Sequence, residues 1–367
     1  MILVKAKRDE LLAPLSSVSG IIERRHTLPI LSNVLIQKEG AALSFLATDI
    51  EIQIVSRTTL EQAGDSRSVT VAARKLVEIL RALPEGEVTL SMQDKRLQVK
   101  SGRSRFTLQT LPAEDFPRLS RPAGDVSKFS LPQKSLRKLL ALVQYAMAQQ
   151  DIRYYLNGLL LVVEDKQLKL IATDGHRLAY CSTQLDAELP RQEVIVPRKT
   201  VLELSKLLAD TDAPVDIEIS ATQAAFSFAN IELVSKLVDG KFPDYTRVIP
   251  KDHKNTTTID RELLRQALSR AAILSNEKFR GVRWVLADGI LKIVSSNAEQ
   301  EEANEELEVK YSGPALDIGF NVTYLLDVLN NVAGGEIEVS FGDAASSALI
   351  HFPAEKDFKY VVMPMRI

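Results

Sequence analysis

The stretch whose residue types best suit catalysis is Thr173-Asp174-Gly175-His176-Arg177. It places a carboxylate two residues from an imidazole, the combination that general acid–base catalysis often uses. Neighbouring residues of one turn do not converge on a single substrate atom, however, and no nucleophile with a partner base accompanies them. A tight structural turn is the favoured interpretation, and an enzyme that uses Asp174 and His176 stays open as an alternative.

The rest of the sequence gives weaker indications of a catalytic, metal-binding or cofactor-binding site. The chain lacks the motifs of phosphate-binding loops, dinucleotide-binding folds, zinc proteases and serine hydrolases. Its one cysteine, Cys181, can form neither an intrachain disulfide nor a cysteine zinc cluster, and its four histidines lack metal-ligand spacing. An acidic run from 299 to 306 could bind a metal, but such runs are more often solvated faces. We therefore predict no catalytic residue, no metal and no cofactor.

The elements that must position these residues recur three times along the chain. Ala47-Thr48-Asp49 reappears as Ala172-Thr173-Asp174, and the corresponding place in a third copy reads Ser296-Asn297-Ala298. An amphipathic helix opens each copy near 9, 133 and 261, and a leucine-rich helix follows Ala73, Pro197 and Asn321. Because a repeat of this length is about one domain, we predict three domains, at 1–125, 126–253 and 254–367.

Apolar residues follow a helical period in the helices and alternate in the segments between them. The second helix of the second repeat directs Val201 and Leu204 inward and places Lys199, Glu203 and Lys206 on the opposite face. These patterns predict an α+β fold in which helices lie on one face of antiparallel sheets.

Charge is segregated along the chain. The formal net charge of −2 argues by itself against a nucleic-acid partner. Six helix-like segments nevertheless carry 16 basic and 8 acidic residues, a net charge of +8, while the remainder carries −10. Basic helices at repeated places suit contact with a phosphate backbone without reading of bases, although a solvated face remains the simpler alternative for any single helix. The candidate residues are Lys134, Arg137, Lys138, Lys199 and Lys206.

Five longer stretches carry a family resemblance. They are 153–158, 172–179, 235–245, 275–283 and 360–366, beginning with Arg-Tyr-Tyr-Leu-Asn-Gly and ending with Tyr-Val-Val-Met-Pro-Met-Arg. Together they resemble the bacterial sliding clamp, the beta subunit of DNA polymerase III, in order over essentially the whole chain. The sequence departs from the family pattern at three positions. Trp284 stands where smaller or aliphatic residues are common, Ala298 where proline is common and Ile367 where leucine is usual.

The resemblance implies that two chains of three domains join head to tail in a ring around duplex DNA, with helices lining the hole. Such a ring tethers the polymerase and catalyses nothing. Arg25 and Gln150 match family positions that contact DNA, and Arg24 could assist Arg25. The implied partners are duplex DNA, a second copy, the polymerase alpha subunit, the clamp-loader delta subunit and other replication or repair proteins. The N-terminus turns polar too soon for a secretion signal and the longest apolar run, 159–163, is too short to span a bilayer, so we expect a cytoplasmic protein.

The resemblance also implies a groove between the second and third domains that takes short peptides. Its Leu, Val, Pro and Met residues would form an adaptable apolar pocket, with Arg and His at the rim. The matching residues are Arg153, Tyr155, Leu156, Thr173, Gly175, His176, Arg177, Leu178, Pro243, Arg247, Val248, Phe279, Asn321, Tyr324, Ser347, Val362, Met363, Pro364, Met365 and Arg366.

A third implication is a ring-closing interface, in which basic residues of one chain would face acidic residues of the next and so favour head-to-tail association. The expected residues are Lys75, Arg96, Arg103, Arg105, Phe106 and Leu108 on the first domain and Ile273, Leu274, Glu299, Glu301, Glu302 and Glu305 on the third. Two other classes stay open at this point: a DNA-modifying enzyme, and a scaffold that binds peptides but no DNA.

Overall fold

The computed structural model describes residues 2–23, 28–251 and 253–367, apart from the side chain of Gln62. Helices pack against antiparallel sheets throughout these residues, so the predicted α+β class is confirmed. By internal contacts the chain divides into two units. The first unit comprises Met1–Leu136 and Lys199–Leu237, and the second comprises Arg137–Arg198 and Val238–Ile367.

The helices of the described residues form three pairs, one pair in each predicted repeat. They are α1 (Arg8–Val18), α2 (Ala73–Ala82), α3 (Gln133–Val143), α4 (Arg198–Leu207), α5 (Arg261–Ala271) and α6 (Val322–Asn331). The predicted starts near 9, 133 and 261 are therefore confirmed. Short 3-10 turns continue the first helix of each pair, at Ser19–Ile21, Gln144–Ala146 and Ala272–Leu274.

The strands occupy most of the remaining chain. They are β1 (Ile2–Lys7), β2 (Asn33–Thr48), β3 (Ile52–Ala72), β4 (Glu87–Gln93), β5 (Arg96–Ser101), β6 (Ser104–Leu111), β7 (Ser127–Pro132), β8 (Gly158–Thr173), β9 (Arg177–Pro197), β10 (Pro214–Ile219), β11 (Gln223–Phe228), β12 (Ile231–Lys236), β13 (Asn255–Asp260), β14 (Gly281–Ala287), β15 (Ile290–Ser296), β16 (Glu302–Glu308), β17 (Leu316–Asn321), β18 (Glu336–Phe341), β19 (Ala348–His351) and β20 (Phe358–Val362).

One ten-stranded sheet lies in the first unit. Its order is β1-β4-β5-β6-β3-β12-β11-β10-β7, and β2 pairs with β3. Strand β12 belongs to the second predicted repeat, yet it pairs with β3 of the first, with Leu233 opposite Ile54. On this sheet α1 buries Leu11 and Leu15 completely. Strand pairing thus crosses the predicted limit between the first two domains.

The second unit holds a six-stranded sheet, β13-β18-β19-β20-β9-β8, and a four-stranded sheet, β16-β15-β14-β17. Strand β20 of the third repeat pairs with β9 of the second, with Val361 opposite Leu178. In the four-stranded sheet the ring of Trp284 is fully buried and meets Phe320 edge-on at 5.4 Å between ring centroids. The compact units divide the second repeat, so the limits 1–125, 126–253 and 254–367 stay a prediction.

One side chain of α4 contradicts the sequence pattern. Glu203, expected on the polar face with Lys206, is only 8% exposed. A Cβ on Gly20 would overlap its carboxylate, so glycine leaves the space that the carboxylate occupies. Lys206 Nζ donates to Glu203 Oε1 at 2.7 Å, which compensates the buried charge.

Candidate functional site

The turn between β8 and β9 is closed by its own side chains. Thr173 Oγ1 donates to the Arg177 carbonyl at 2.6 Å and accepts from the Gly175 amide. Asp174 Oδ1 accepts from the backbone amides of His176 and Arg177. Gly175 has φ +92°, a conformation that glycine adopts without strain. The most enzyme-like stretch of the sequence is therefore a tight turn whose polar groups already bond to one another.

The buried side chain of Arg177 stabilises this turn through two ion pairs. Its side chain is 9% exposed, and Nη1 donates to Asp327 Oδ2 at 2.5 Å while Nε donates to Asp174 Oδ2 at 3.1 Å. The guanidinium also lies over the ring of Tyr324, at 4.5 Å from its centroid. Burial opposes the charge of Arg177, but Tyr360, Asp327 and Asp174 outweigh burial and raise its pKa above the ordinary value. Arg177 therefore stays protonated, and its ion pair with Asp327 connects the turn to α6.

A cavity of about 240 Å³ lies beside the turn, within the second unit. Its floor is apolar, because Leu156 is 1% exposed and belongs to a core cluster with Phe242 and Val361. The amide of Met363 donates to the His176 carbonyl at 2.9 Å, which ties the segment after β20 to the turn. An apolar floor under a polar rim can hold an aliphatic or aromatic side chain while the rim bonds to its backbone.

Arg153 forms part of the rim. Its guanidinium donates to both carboxylate oxygens of Asp151, at 3.0 and 2.8 Å, and to the Asp174 carbonyl at 3.1 Å. The hydrogen bond from Arg153 is the main reason that the pKa of Asp151 falls to about 2. Arg153 is thus held in place before any ligand arrives.

Eleven of the twenty residues expected in the peptide groove line this cavity. They are Arg153, Tyr155, Leu156, Thr173, Gly175, His176, Arg177, Leu178, Pro243, Val248 and Met363. The cavity lining does not include the other nine, which are Arg247, Phe279, Asn321, Tyr324, Ser347, Val362, Pro364, Met365 and Arg366.

Several of these nine have other contacts. Tyr324 stacks on His176, with 6.4 Å between ring centroids. The Asn321 side chain caps α6 by accepting from the Thr323 amide at 2.9 Å. Val362 is fully buried, whereas Phe279 is 57% exposed. The nine residues therefore include a core position, a helix cap and exposed side chains outside the cavity.

Sequence reasoning missed three lining residues, Phe242, Tyr245 and Val361. Tyr245 stacks on Tyr180 at 5.9 Å between ring centroids and forms one wall. Adjacent strand residues point to opposite faces, so only one of Val361 and Val362 can face the cavity. The residue opposite Leu178 in the sheet, Val361, is that one.

The lysines predicted to contact DNA are bonded to carboxylates. Nζ–O distances are 2.7 Å for Lys134 with Asp212, 2.7 Å for Lys138 with Glu355 and 2.7 Å for Lys206 with Glu203. Lys199 pairs with Glu23 and with the buried Asp49. Arg137 and Gln150 are exposed, and Gln150 has φ +57°. Arg24 and Arg25 lie outside the described residues.

The residues expected at a ring-closing interface lie on α2, β5, β6 and β16, in the 3-10 turn after α5 and in the segments beside these strands. Arg96, Arg103 and Arg105 are exposed on and beside β5 and β6, with Phe106 at 36% and Leu108 at 9%. In the second unit β16 is the edge of its sheet and carries Glu302 and Glu305. Of the remaining expected residues, Lys75, Glu299 and Glu301 are exposed. Ile273 is 76% exposed and Leu274 is half-buried.

Glu305 already has a partner within its own unit, because both of its carboxylate oxygens accept from Arg270, at 2.8 and 2.5 Å. This hydrogen bonding lowers the pKa of Glu305. Across residues 2–23, 28–251 and 253–367, no three His, Cys, Asp or Glu side chains form a group that could hold a metal ion. Nor does any helix of that part of the chain have the length and apolarity needed to cross a membrane.

Comparison with known proteins covers the chain from end to end. Family models of the DNA polymerase III beta subunit match residues 3–120 (N-terminal domain), 130–244 (central domain) and 246–366 (C-terminal domain). The beta sliding clamp of Pseudomonas aeruginosa is 50% identical over 98% of this chain and 99% of its own, and that of Escherichia coli K12 is 47% identical over the same shares.

Solved structures agree with the sequence matches. A crystal structure of the DNA polymerase sliding clamp from Pseudomonas aeruginosa with ligand superposes with a TM-score of 0.95 at 48% identity, covering all of both chains. The pol III beta of Caulobacter crescentus gives 0.93 at 40% identity, covering 99% of each. Three helix-and-sheet domains in one chain with these matches define a DNA sliding clamp. The chain belongs to the DNA polymerase III beta subunit family.

Proposed function

We propose that this chain pairs head to tail with a second copy, encloses duplex DNA and tethers the replicative polymerase. The match of all three family domains to one chain carries this proposal. A ring holds DNA by topology, so its phosphate contacts can stay weak enough for sliding. The proposal includes a cytoplasmic location, where bacterial replication takes place, and the three domain limits predicted from the sequence.

The test of enclosure uses DNA ends. The protein is loaded with its clamp loader on nicked circular DNA, and the DNA is then linearised. A ring stays on the circles and is lost through the free ends of the linear form. Equal retention on both forms would refute enclosure and favour direct binding.

We also propose that the 240 Å³ cavity receives Leu or Phe side chains of short peptides from the polymerase alpha subunit, the clamp-loader delta subunit and other partners. The preformed turn and the fixed Arg153 support this role. Val248→Glu places a charge at the rim, where Val248 is 40% exposed, and we expect at least tenfold weaker binding of a fluorescent alpha-subunit peptide. Ile290→Glu, at 43% exposure on β15, is the matched control and should bind normally.

The proposed role is not catalytic. Asp174 and His176 form the acid–base pair that the sequence offers, but both carboxylate oxygens of Asp174 accept hydrogen bonds within the turn. His176 lines the peptide cavity, so His176→Ala should weaken peptide binding. No chemical change in DNA should depend on this residue. A chemical change in DNA that depends on His176 would contradict this.

A further inference from the structure

One wall of the peptide cavity is supported by a residue outside the cavity. Tyr245 lines the cavity of about 240 Å³, whereas Tyr180 lies outside its lining. The two rings stack, with 5.9 Å between their centroids and 28° between their planes. Both tyrosines are half-buried and pack against the core cluster that contains Leu156 and Phe242. Seen from the cavity, Tyr180 therefore lies behind the ring of Tyr245.

The backbone around Tyr245 does not fix the direction of its ring. Tyr245 begins the 3-10 turn Tyr245–Arg247, in the segment between β12 and β13, where the described residues form no strand. Its carbonyl accepts hydrogen bonds from the amides of Val248 and Ile249, which belong to the same segment. Because no sheet ladder orients this residue, side-chain packing must set the position of the ring. The stacked contact with Tyr180 is part of that packing.

Tyr180, in contrast, is held by the sheet. It follows Leu178 by two residues on β9, so both side chains point to the same face of the sheet. Leu178 lines the cavity and pairs with Val361 of β20, and Tyr180 pairs with Lys359 of the same strand. On the other side of β9, Tyr180 pairs with Ile171 of β8. A strand that is paired on both sides keeps the Tyr180 side chain at a fixed distance from the cavity floor.

Two lysines lie beside the stacked pair. Lys359 Nζ is 6.0 Å from the centroid of the Tyr180 ring, a distance at which a cation attracts an aromatic ring. Lys169 Nζ donates to Glu164 Oε2 at 3.0 Å. Burial raises the pKa of the Tyr245 hydroxyl, and the positive charge of Lys169 opposes part of that rise. Charges on the neighbouring strands β8 and β20 therefore act on both rings of the pair.

The position of the Tyr245 wall decides which side chains the cavity accepts. A smaller residue at 180 would leave space behind Tyr245, into which its ring could tilt away from the cavity. The wider cavity would lose contacts with Leu and accept the bulkier Phe more easily. We propose that Tyr180 is a positioning residue that sets, through Tyr245, the width of the peptide cavity and its preference between Leu and Phe side chains. This inference rests on the proposed peptide-binding function.

The test uses two fluorescent alpha-subunit peptides that differ only in the anchoring side chain, Leu or Phe, and measures both Kd values on the full chain by anisotropy. Tyr180→Val removes the ring and keeps a residue that suits a strand. The Kd of the Phe peptide divided by that of the Leu peptide should fall about fivefold, because an aromatic pair contributes about that factor. Tyr180→Phe keeps the ring and should keep the wild-type ratio. A folding defect would weaken both peptides by one factor and leave the ratio unchanged.

Two further variants separate positioning from a general loosening of the core. Val238 packs against the same cluster but is not part of the stack, so Val238→Ala should keep the wild-type ratio. Tyr245→Ala should change the ratio by itself. Adding Tyr180→Val to Tyr245→Ala should then change it no further, since Tyr180 acts through the ring of Tyr245.

Three results would overturn the inference: a wild-type ratio in Tyr180→Val, an equal change of ratio in Tyr180→Phe and Tyr180→Val, or additive changes in the double variant. Each of them leaves the peptide-binding proposal intact, because wild type still binds. If wild type binds neither peptide, the peptide-binding proposal itself fails, and the role of Tyr180 fails with it.

Discussion

At the scale of single residues, the turn at Gly175 shows why the enzyme-like motif is structural. A Cβ at 175 would lie 2.9 Å from Arg153 Nη1, and φ is +92°. Gly175→Ala should therefore destabilise the turn by about 1–2 kcal/mol and displace Arg153 from the rim, weakening peptide binding about tenfold. Fluorescence anisotropy and thermal unfolding measure the two effects.

Gly124→Ala is the matched control for Gly175→Ala, because its φ is +86° and no atom lies within 4 Å of the added Cβ. It should show the cost of backbone strain alone, with normal peptide affinity. If both variants bind peptide normally, the position of Arg153 does not matter for binding.

Acid titration tests the Arg153–Asp151 pair. The pKa of Asp151 is lowered from 3.8 to about 2, chiefly by the hydrogen bond from Arg153. A carboxyl with a depressed folded pKa contributes stability above its unfolded pKa and loses it as the pH falls through the folded value. The unfolding free energy of wild type minus that of Asp151→Asn should therefore be constant above pH about 5 and decline as the pH falls towards 2. A difference that is independent of pH over this range would show that the pair contributes nothing.

At the scale of elements, the edge strand β16 and the turn after α5 form the surface that we expect to meet a second copy. Edge strands present unpaired backbone groups, and Ile273, in the 3-10 turn after α5, is 76% exposed. Ile273→Asp should convert a dimer of 40.7 kDa chains into a monomer, measured by light scattering. Leu263→Asp, on α5 at 56% exposure, should remain dimeric. Dimers in both variants would place the interface elsewhere.

The sequence predicts elements better than it predicts their partners. Helix starts and the Ala-Thr-Asp turns follow from local periodicity and repetition, and the structure agrees. Burial of Glu203 depends on space left by Gly20, far away in the chain, so its local pattern was misleading. The choice of Val361 over Val362 needs the register of β20 against β9. Pairing of β12 with β3 across a repeat limit likewise has no local signal.

At the scale of the whole molecule, a net charge of −2 is compatible with a DNA partner because the helix-like segments carry an excess of basic residues and the rest of the chain an excess of acidic ones. Lys134, Lys138 and Lys206 are paired with carboxylates, so they attract DNA less than a count of basic residues would suggest. A protein that holds DNA by enclosure needs mobility more than affinity, and weak, sequence-independent contacts provide it. Stability of the closed ring then depends on association between chains.

That dependence predicts how unfolding responds to protein concentration. Trp284 is the single tryptophan and is fully buried, so its fluorescence reports loss of the four-stranded sheet that ends in β16. For a dimer that unfolds to two chains, each tenfold increase in concentration adds about 1.4 kcal/mol to the unfolding free energy. The denaturation midpoint of wild type should rise accordingly, while that of Ile273→Asp stays constant. A wild-type midpoint that does not change over a hundredfold range of concentration would mean that association does not stabilise this sheet.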